Sequence, residues 1–283
     1  MALLERFIKK KLRTKPDNVK QNMVYESPEA AVEHFENAID TAAKPYHHSL
    51  FWGDRLLTLD KSAGFLSDQA FNNAFKAIRG SHQYDQYSSP NTISWRLHTL
   101  VWAAKSCSML EGDFVECGTF KGDMAWFITQ LVDLNKANKQ FYLYDTFNGF
   151  SEKYTTDEDY PDSPGFIAYA NQFYKDPSLY PYVHDRFKDQ NNVHVIKGTV
   201  PDMLLQNSPE KIAFMHIDLN SPAAEIGTLE LLFPRLVSGG MVVFDDYGWK
   251  VFYKQKDAED EFMNKRDYTI LELPTGQGLV VKR

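Results

Sequence analysis

Three carboxylates follow two apolar segments that have the pattern of buried β-strands. Asp218 comes after an apolar run that ends at Ile217, and Asp245 and Asp246 follow one that ends at Phe244, with no Lys or Arg adjoining them. The carboxyl ends of neighbouring parallel strands lie about 4.8 Å apart at one edge of a sheet, so these acids should converge. Like charges resist ionisation unless a cation joins them, and oxygen ligands favour Mg²⁺ or Mn²⁺. The sequence therefore predicts a magnesium site, unless Asp245 or Asp246 instead caps the following helix.

A metal ion at this edge would lower the pKa of a bound substrate hydroxyl and so make an oxygen nucleophile at neutral pH. Asp218, as a ligand of that ion, is our first catalytic candidate. His216 lies two residues earlier on the same face of the same predicted strand, so its imidazole could reach the site and act as a base. The alternative is that His216 is a buried histidine with a structural role.

A turn with two glycines follows another buried strand, in the segment FVECGTFKGD. Glu116 stands near the end of the strand, and Gly118 and Gly122 are four residues apart before a helix. In open α/β sheets ligands bind outside the carboxyl ends of the strands, and glycines let the backbone approach them. The spacing lacks the middle glycine of a dinucleotide fingerprint and the lysine of a phosphate loop, which disfavours a nicotinamide dehydrogenase. Glu116 suits a ligand with a cationic amino group, although a purely structural turn would have the same glycines.

The next two strands end in residues that suit a nucleoside. Asp145 ends the segment QFYLYD about 23 residues after Gly122 and is followed by Thr146. An acid at this point accepts hydrogen bonds from ribose hydroxyls, whereas the alternative is a solvated or helix-capping Asp145. Thr199 follows the third strand, where the backbone and the threonine could contact an adenine.

Strands and helices alternate from Gly112 onward, which places these residues on an α/β fold. We expect a Rossmann-like, mostly parallel sheet of seven strands with right-handed crossovers. The last segment has two strand patterns around a TGQG turn and predicts a hairpin, which makes the last strand antiparallel to its neighbour.

The segment before the sheet has mostly helical patterns. One helix is expected to be capped by Ser67 and another to run over about 92–109. We therefore divide the chain into a helical N-terminal region, 1–90, and a ligand-binding domain, 91–283. Within that domain, the aromatic and acidic segment 147–190 is predicted to form a lid or a wall of the acceptor site; the alternative is that its aromatic side chains form the core of an inserted helix.

Composition excludes several classes of protein. The chain has 283 residues, a net charge of −7 and 43% hydrophobic residues, so it can form a core without disulfides and is not expected to bind nucleic acid. Its two cysteines, Cys107 and Cys117, favour a reduced, cytoplasmic setting. Neither a transmembrane segment nor a secretory signal is predicted.

The basic N-terminal segment, residues 1–13, has its apolar residues on one helical face. Peripheral membrane contact is one interpretation. The interpretation we favour is a helix that docks on the rest of the chain or on a second copy. We accordingly expect a homo-oligomer, with residues 1–90 forming either an interface or a cap over the acceptor site.

Several motifs match a known family when they are taken together. They are Thr92-Ile93 with Arg96-Leu97, GDFVECGTFKGD, YDTFNGF, and HIDLN followed by LFPRL, SGG and VVFDDYG. Over roughly residues 90–283 the chain resembles class I S-adenosylmethionine-dependent methyltransferases, and more narrowly the macrocin and mycinamicin sugar O-methyltransferase family. The resemblance implies in-line transfer of a methyl group from a sulfonium to a metal-bound hydroxyl, promoted by orientation and charge neutralisation.

The resemblance also assigns residues. Those implied to contact S-adenosylmethionine are Glu116, Gly118 and Gly122 at the methionine end, Asp145 and Thr146 at the ribose, Thr199 at the adenine, and Thr92 and Ile93 as a cover. Those implied to bind Mg²⁺ are Asp218, Asp245 and Asp246.

Two positions depart from related enzymes. Asn220 stands where these sugar enzymes often have a second acid, and Ser221 stands where catechol-type relatives have a lysine base. The leading hypothesis is thus a Mg²⁺-dependent O-methyltransferase that acts on a sugar hydroxyl of a natural product or polysaccharide. The alternatives are a methyltransferase for a phenolic or amine acceptor, and a non-catalytic module that retains the fold.

Overall fold

The computed structural model describes residues 34, 37–38, 41, 50–79 and 93–283, and its centre is a seven-stranded sheet. The strands are β1 (Leu50–Gly53), β2 (Leu56–Leu59), β3 (Asp113–Cys117), β4 (Phe141–Asp145), β5 (Val193–Lys197), β6 (Ile212–Ile217), β7 (Leu236–Phe244), β8 (Leu271–Glu272) and β9 (Gly278–Val281). The central sheet has the order β5-β4-β3-β6-β7-β9-β8. Strands β3 to β7 pair in parallel, and β9 runs antiparallel to both β7 and β8. The predicted fold class and reversed last strand are confirmed.

Helices cover both faces of this sheet. They are α1 (Gln69–Arg79), α2 (Ser94–Cys107), α3 (Asp123–Leu131), α4 (Phe166–Tyr174), α5 (Leu179–Phe187), α6 (Pro222–Leu232) and α7 (Tyr253–Asn264). Successive residues of a strand point to opposite faces, so Phe114 joins one buried apolar cluster and Val115 the other. The first cluster contains side chains of α1, α2, α3 and α5, and the second contains side chains of α6 and α7.

The region before the sheet is less helical than predicted. Strands β1 and β2 form an antiparallel hairpin, whose turn residues Asp54 and Arg55 have φ values of 50° and 59°. Two consecutive residues with positive φ form the tight turn that matches the twist of a two-stranded ribbon. The expectation of helix was wrong here because neither turn position holds Gly or Asn, the usual signal for this geometry.

The helices that follow begin one or two residues later than expected. Asp68, not Ser67, caps α1, since its Oδ1 accepts hydrogen bonds from the backbone N–H groups of Ala70 at 2.8 Å and Phe71 at 3.0 Å. Helix α2 runs from Ser94 to Cys107, within the predicted span of 92–109. Both helices belong to the compact unit that holds the sheet, Tyr46–Arg283.

The predicted amphipathic helix at residues 1–13 lies outside the described residues. The proposed role of residues 1–90 as a cap or an interface stays a prediction. Among the residues that the structure describes, no helix is long and apolar enough to cross a bilayer.

Candidate active site at the carboxyl ends of the strands

A single cleft opens at the carboxyl ends of β3, β4, β6 and β7. Asp145 and Thr146 line one part of it, and Asp218, Asn220 and Asp246 line another. The cleft lies where an open α/β sheet binds its ligands. Several side chains that the sequence singled out therefore share one cavity.

The turn after β3 forms the floor between the two parts of the cleft. Gly118 has a φ of +91°, and a Cβ atom on it would lie 1.8 Å from the backbone oxygen of Asp218. Only glycine fits there, because the turn after β3 touches the loop after β6. Gly122 has a φ of +73° and is the N-terminal cap of α3, so the predicted strand–turn–helix is present and directs the start of α3 toward the cleft.

Asp145 is held by backbone donors. Its Oδ2 accepts a hydrogen bond from the N–H of Phe120 at 2.7 Å, and its Oδ1 accepts one from the N–H of Phe147 at 2.6 Å. The backbone of Thr119 and the hydroxyl of Thr146 also lie against this carboxylate, which lines the cleft where a ligand hydroxyl could reach it. Thr146 donates to the carbonyl of Gly149 at 2.6 Å and also lines the cleft. Thr199 lines an adjoining cleft that shares Thr146 with the first.

Among the described residues, the predicted cofactor contacts Glu116, Ile93 and Gly122 do not line the cleft. Glu116 is fully buried, and its Oε2 lies 3.0 Å from Nδ1 of His216, so it faces the interior beneath the site. Because side chains alternate between the two faces of β3, that of Glu116 points away from the cavity. Ile93 is buried in the apolar cluster around α2, because it lies against the core where α2 begins. Thr92 lies outside the described residues.

The three predicted metal ligands do come together. One carboxylate oxygen from each of Asp218, Asp245 and Asp246 lies within 4.8 Å of the others. Neither Asp245 nor Asp246 caps the short helical turn that follows, Lys250–Phe252, whose N-terminal cap is Trp249. Burial and the two neighbouring acids raise the pKa of Asp218 well above its usual value. Burial likewise raises the pKa of Asp246 to about 7.

Sequence reasoning missed Arg96, which is the main partner of these acids. Its Nη1 lies 2.6 Å from Oδ2 of Asp245 and 3.2 Å from Oδ1 of Asp246, and its Nη2 lies 2.9 Å from Oδ2 of Asp54 in the hairpin turn. Although burial opposes it, Arg96 together with His216 lowers the pKa of Asp245. The sequence pattern could have indicated this ion pair. Arg96 lies one turn before Leu100 on the apolar face of α2, and a buried arginine needs an acidic partner.

His216 bridges two acids under the site. Its Nδ1 lies 3.0 Å from Oε2 of Glu116, and its Nε2 lies 3.5 Å from Oδ1 of Asp245. Burial lowers its pKa, but the two carboxylates outweigh burial and raise the pKa to about 10. A histidine that keeps its proton at neutral pH cannot accept another, so the geometry favours the structural role over the predicted catalytic one.

Asp218, Asp245 and Asp246 form the acidic part of the cleft, and the charge balance there fits a divalent cation. Within the part of the chain that the structure describes, the five carboxyl groups in contact here, those of Asp54, Glu116, Asp218, Asp245 and Asp246, outnumber the cations Arg96 and His216. The groups that Asp218 and Asp246 present are carboxylate oxygens, the ligand type that Mg²⁺ prefers. Asp218 and Asp246 line the cavity directly.

The segment predicted as a lid or wall covers this cleft. The hydroxyl of Tyr160 donates to the carbonyl of Asn220, and Ser221 Oγ donates to the carbonyl of Tyr154 at 2.8 Å. The ring of Tyr160 packs on that of Phe166 with centroids 4.6 Å apart. Other aromatic side chains lie in the cavity wall, namely Phe120, Phe150 and Tyr174. The segment thus packs on itself and lines the cleft, and its role as a lid or a wall of the acceptor site stays a prediction.

The sheet order, the reversed strand and the position of the cleft define a class I methyltransferase fold. Residues 93–270 match the model of the macrocin-O-methyltransferase (TylF) family. The chain belongs to this family, and it is an O-methyltransferase.

Individual relatives agree with this assignment. The mycinamicin III 3''-O-methyltransferase of Micromonospora griseorubida is 24% identical over 193 residues, which cover 65% of this chain and 74% of that protein. Among solved structures, the O-methyltransferase NovP has a TM-score of 0.57 at 19% identity over 66% of this chain and 79% of its own. CalS11, a calicheamicin methyltransferase, has a TM-score of 0.58 at 16% identity over 78% and 94%. At these identities the two structures show a shared fold.

Proposed function

We propose that this enzyme transfers a methyl group from S-adenosylmethionine to a hydroxyl group of a sugar, with Mg²⁺ bound by Asp218, Asp245 and Asp246. One observation carries the proposal. A single cleft joins Asp145, which suits a ribose, to the acids Asp218 and Asp246. A methyl donor and a cation-bound acceptor would therefore meet in the same cavity.

The residues around β3 and β4 would hold the methyl donor. Asp145 would accept hydrogen bonds from the ribose hydroxyls, Gly118 leaves its part of the cleft without a side chain, and Thr146 and Thr199 would lie on the adenine side. S-adenosylmethionine supplies an electrophilic methyl group when it is bound. The chain's contribution is orientation, which can lower a barrier by several kcal/mol, up to about 7–11.

The residues around β6 and β7 would hold the cation and the acceptor. A divalent cation in this position would lower the pKa of an acceptor hydroxyl. Asp218, Asp245 and Asp246 supply oxygen ligands, and Arg96 fixes the last two. His216 keeps its proton and supports Asp245 from below.

The acceptor is proposed from the family and from the cleft wall. The mycinamicin relative acts as a 3''-O-methyltransferase, as its name states. The apolar faces of Phe120, Phe150 and Tyr174 offer surfaces on which the ring of a sugar packs. Ser221 caps α6, with Oγ accepting from the N–H of Ala224, so the position of the lysine in catechol-type relatives has a structural role here.

A methyl-transfer assay with labelled S-adenosylmethionine tests the proposal. The acceptors are a free deoxysugar, a nucleotide-activated sugar, a glycosylated macrolide and a catechol, each with Mg²⁺ and with EDTA. We expect turnover of a sugar acceptor with Mg²⁺, loss of turnover with EDTA, and no turnover by Asp218→Asn. Preferred turnover of the catechol would overturn the acceptor assignment, and full activity in EDTA would overturn the metal assignment.

A further inference from the structure

A pair of glutamates lies buried behind the acidic part of the cleft. Glu225 is on α6, Glu259 is on α7, and both are 0% exposed. The two helices pack against each other, and the two carboxyl groups lie close enough to share a hydrogen bond. Neither glutamate is part of the methyl-transfer site described above.

This pair cannot be buried with both groups charged. Oε2 of Glu225 and both oxygens of Glu259 are buried without a donor among the described residues. Two adjacent carboxylates in a buried site repel each other strongly, and the stable arrangement is one proton held between them. A carboxylic acid that donates to its neighbour supplies the missing donor.

The surrounding groups do not remove the need for that proton. Those that act on the pair from the neighbouring elements are Asp246, Tyr160, Cys117, Lys256, Asp260 and the amide of Gln255. Lys256 is the cation among them, but its Nζ lies 2.8 Å from Oδ2 of Asp260 and 2.7 Å from the hydroxyl of Tyr247. Burial and the mutual repulsion of the two carboxyl groups therefore outweigh the attraction of Lys256.

Glu225 also reaches the catalytic loop. Its Oε1 accepts a hydrogen bond from the backbone N–H of Leu219 at 3.2 Å, between Asp218 and Asn220. Asn220 has a φ of +54°, in the left-handed region that asparagine adopts more readily than most L-residues. Asn220 Nδ2 in turn donates to Oδ1 of Asp218 at 3.1 Å. The link from Glu225 therefore ends at a residue that lines the cleft.

We propose that Glu225 and Glu259 share one proton and that this pair positions the loop of Asp218 and Asn220 for methyl transfer. Glu225 is then a positioning residue, and Glu259 holds it in place. The inference rests on the O-methyltransferase assignment and does not depend on the identity of the acceptor or of the metal.

The first test measures how the unfolding constant depends on pH. Burial and the mutual repulsion of the two carboxyl groups raise the pKa at which the pair loses its shared proton above the usual 4.5. The folded state therefore binds one more proton than the unfolded state in this window, and stability falls as pH rises through it. Glu259→Gln replaces one carboxyl group of the pair by an amide that does not titrate and can donate an N–H to Glu225. Between pH 5 and 7, the unfolding constant of the wild type should rise about tenfold more per pH unit than that of this variant.

The second test follows the loop itself, by hydrogen exchange of the peptide that covers residues 218–221. Glu225→Gln keeps an oxygen for the N–H of Leu219 and an amide donor for Glu259, whereas Glu225→Ala keeps neither. We expect Glu225→Gln to exchange like the wild type and Glu225→Ala to exchange faster by about tenfold or more. In turnover assays, kcat of the wild type should fall as the pH rises and the pair loses its proton, and kcat of Glu259→Gln should not.

Two results would overturn the proposal. One is an equal pH dependence of unfolding in the wild type and Glu259→Gln, which would mean that the pair holds no proton. The other is equal exchange in Glu225→Ala and Glu225→Gln, which would mean that the loop does not depend on Glu225. Neither readout needs an acceptor or Mg²⁺, so failure here is distinguishable from failure of the proposed function.

Discussion

The two parts of the cleft are built differently. At the ends of β3 and β4, the site consists of a glycine turn and of Asp145, whose partners are the backbone N–H groups of Phe120 and Phe147. At the ends of β6 and β7, it consists of acids held by side chains. Arg96 reaches these acids from α2. Gln277 lies in the turn before β9, and its Nε2 donates a hydrogen bond to Oδ1 of Asp245 at 3.0 Å.

The difference separates local from long-range organisation. The part around Gly118 and Asp145, called the donor part because it would hold the methyl donor, depends mainly on backbone geometry that a short stretch of sequence determines. The acidic part depends on compensation of charge among residues that are far apart in the chain, since Arg96 and Asp245 are separated by 149 positions. Substitutions in the first part should act on folding geometry or donor affinity, and substitutions in the second should act on electrostatics.

The largest effect on stability is expected at the contact between the two parts. Gly118→Ala places a Cβ atom 1.8 Å from the backbone oxygen of Asp218, and the positive φ adds strain. We expect a loss of about 4 kcal/mol in the free energy of unfolding, measured by urea denaturation. Gly165 is the matched control, because its φ is +80° but nothing lies within 4 Å of the added atom. Gly165→Ala should cost about 1 kcal/mol, and equal losses in the two variants would contradict the close contact.

Removal of Arg96 should have the next largest effect. Arg96→Met leaves Asp245 and Asp246 buried beside each other, and loss of one partner from a buried ion pair costs about 3 kcal/mol or more. The loss should be larger at pH 7.5 than at pH 5, because protonation relieves the unpaired acids. Arg96→Lys keeps the charge without the planar guanidinium group, so its stability should lie between that of the wild type and that of Arg96→Met. Urea denaturation in EDTA measures this, and a pH-independent loss would mean that repulsion between the acids is not the cause.

A smaller effect, measured on ligand binding, is expected for Asp145. Asp145→Ala removes the acceptor for the ribose and should weaken S-adenosylhomocysteine binding by about 1–3 kcal/mol, as measured by calorimetry. The acidic part should be unaffected, so Mg²⁺ binding is the internal control. Unchanged affinity for S-adenosylhomocysteine would remove Asp145 from the donor site.

The same division explains what the sequence could predict. The strands, the reversed last strand and the glycine turn follow from periodicity and spacing within short segments, and the acids of β6 and β7 could be placed together because parallel strands end at one edge. Arg96, Asp54 and Gln277 could not be assigned in this way, because their roles arise only when distant elements pack. Alternation along a strand predicts which face His216 takes but not that Glu116 and Asp245 are its partners, so the sequence leaves both a catalytic and a structural role open.

The acidic part is proposed to bind a divalent cation independently of the donor part. The direct measurement is a calorimetric titration of Mg²⁺ into protein saturated with S-adenosylhomocysteine, for the wild type and for Asp218→Asn. We expect a single Mg²⁺ site in the wild type and its loss in the variant, with equal affinity of both proteins for S-adenosylhomocysteine. Equal Mg²⁺ binding by the two proteins, or none by the wild type, would contradict it.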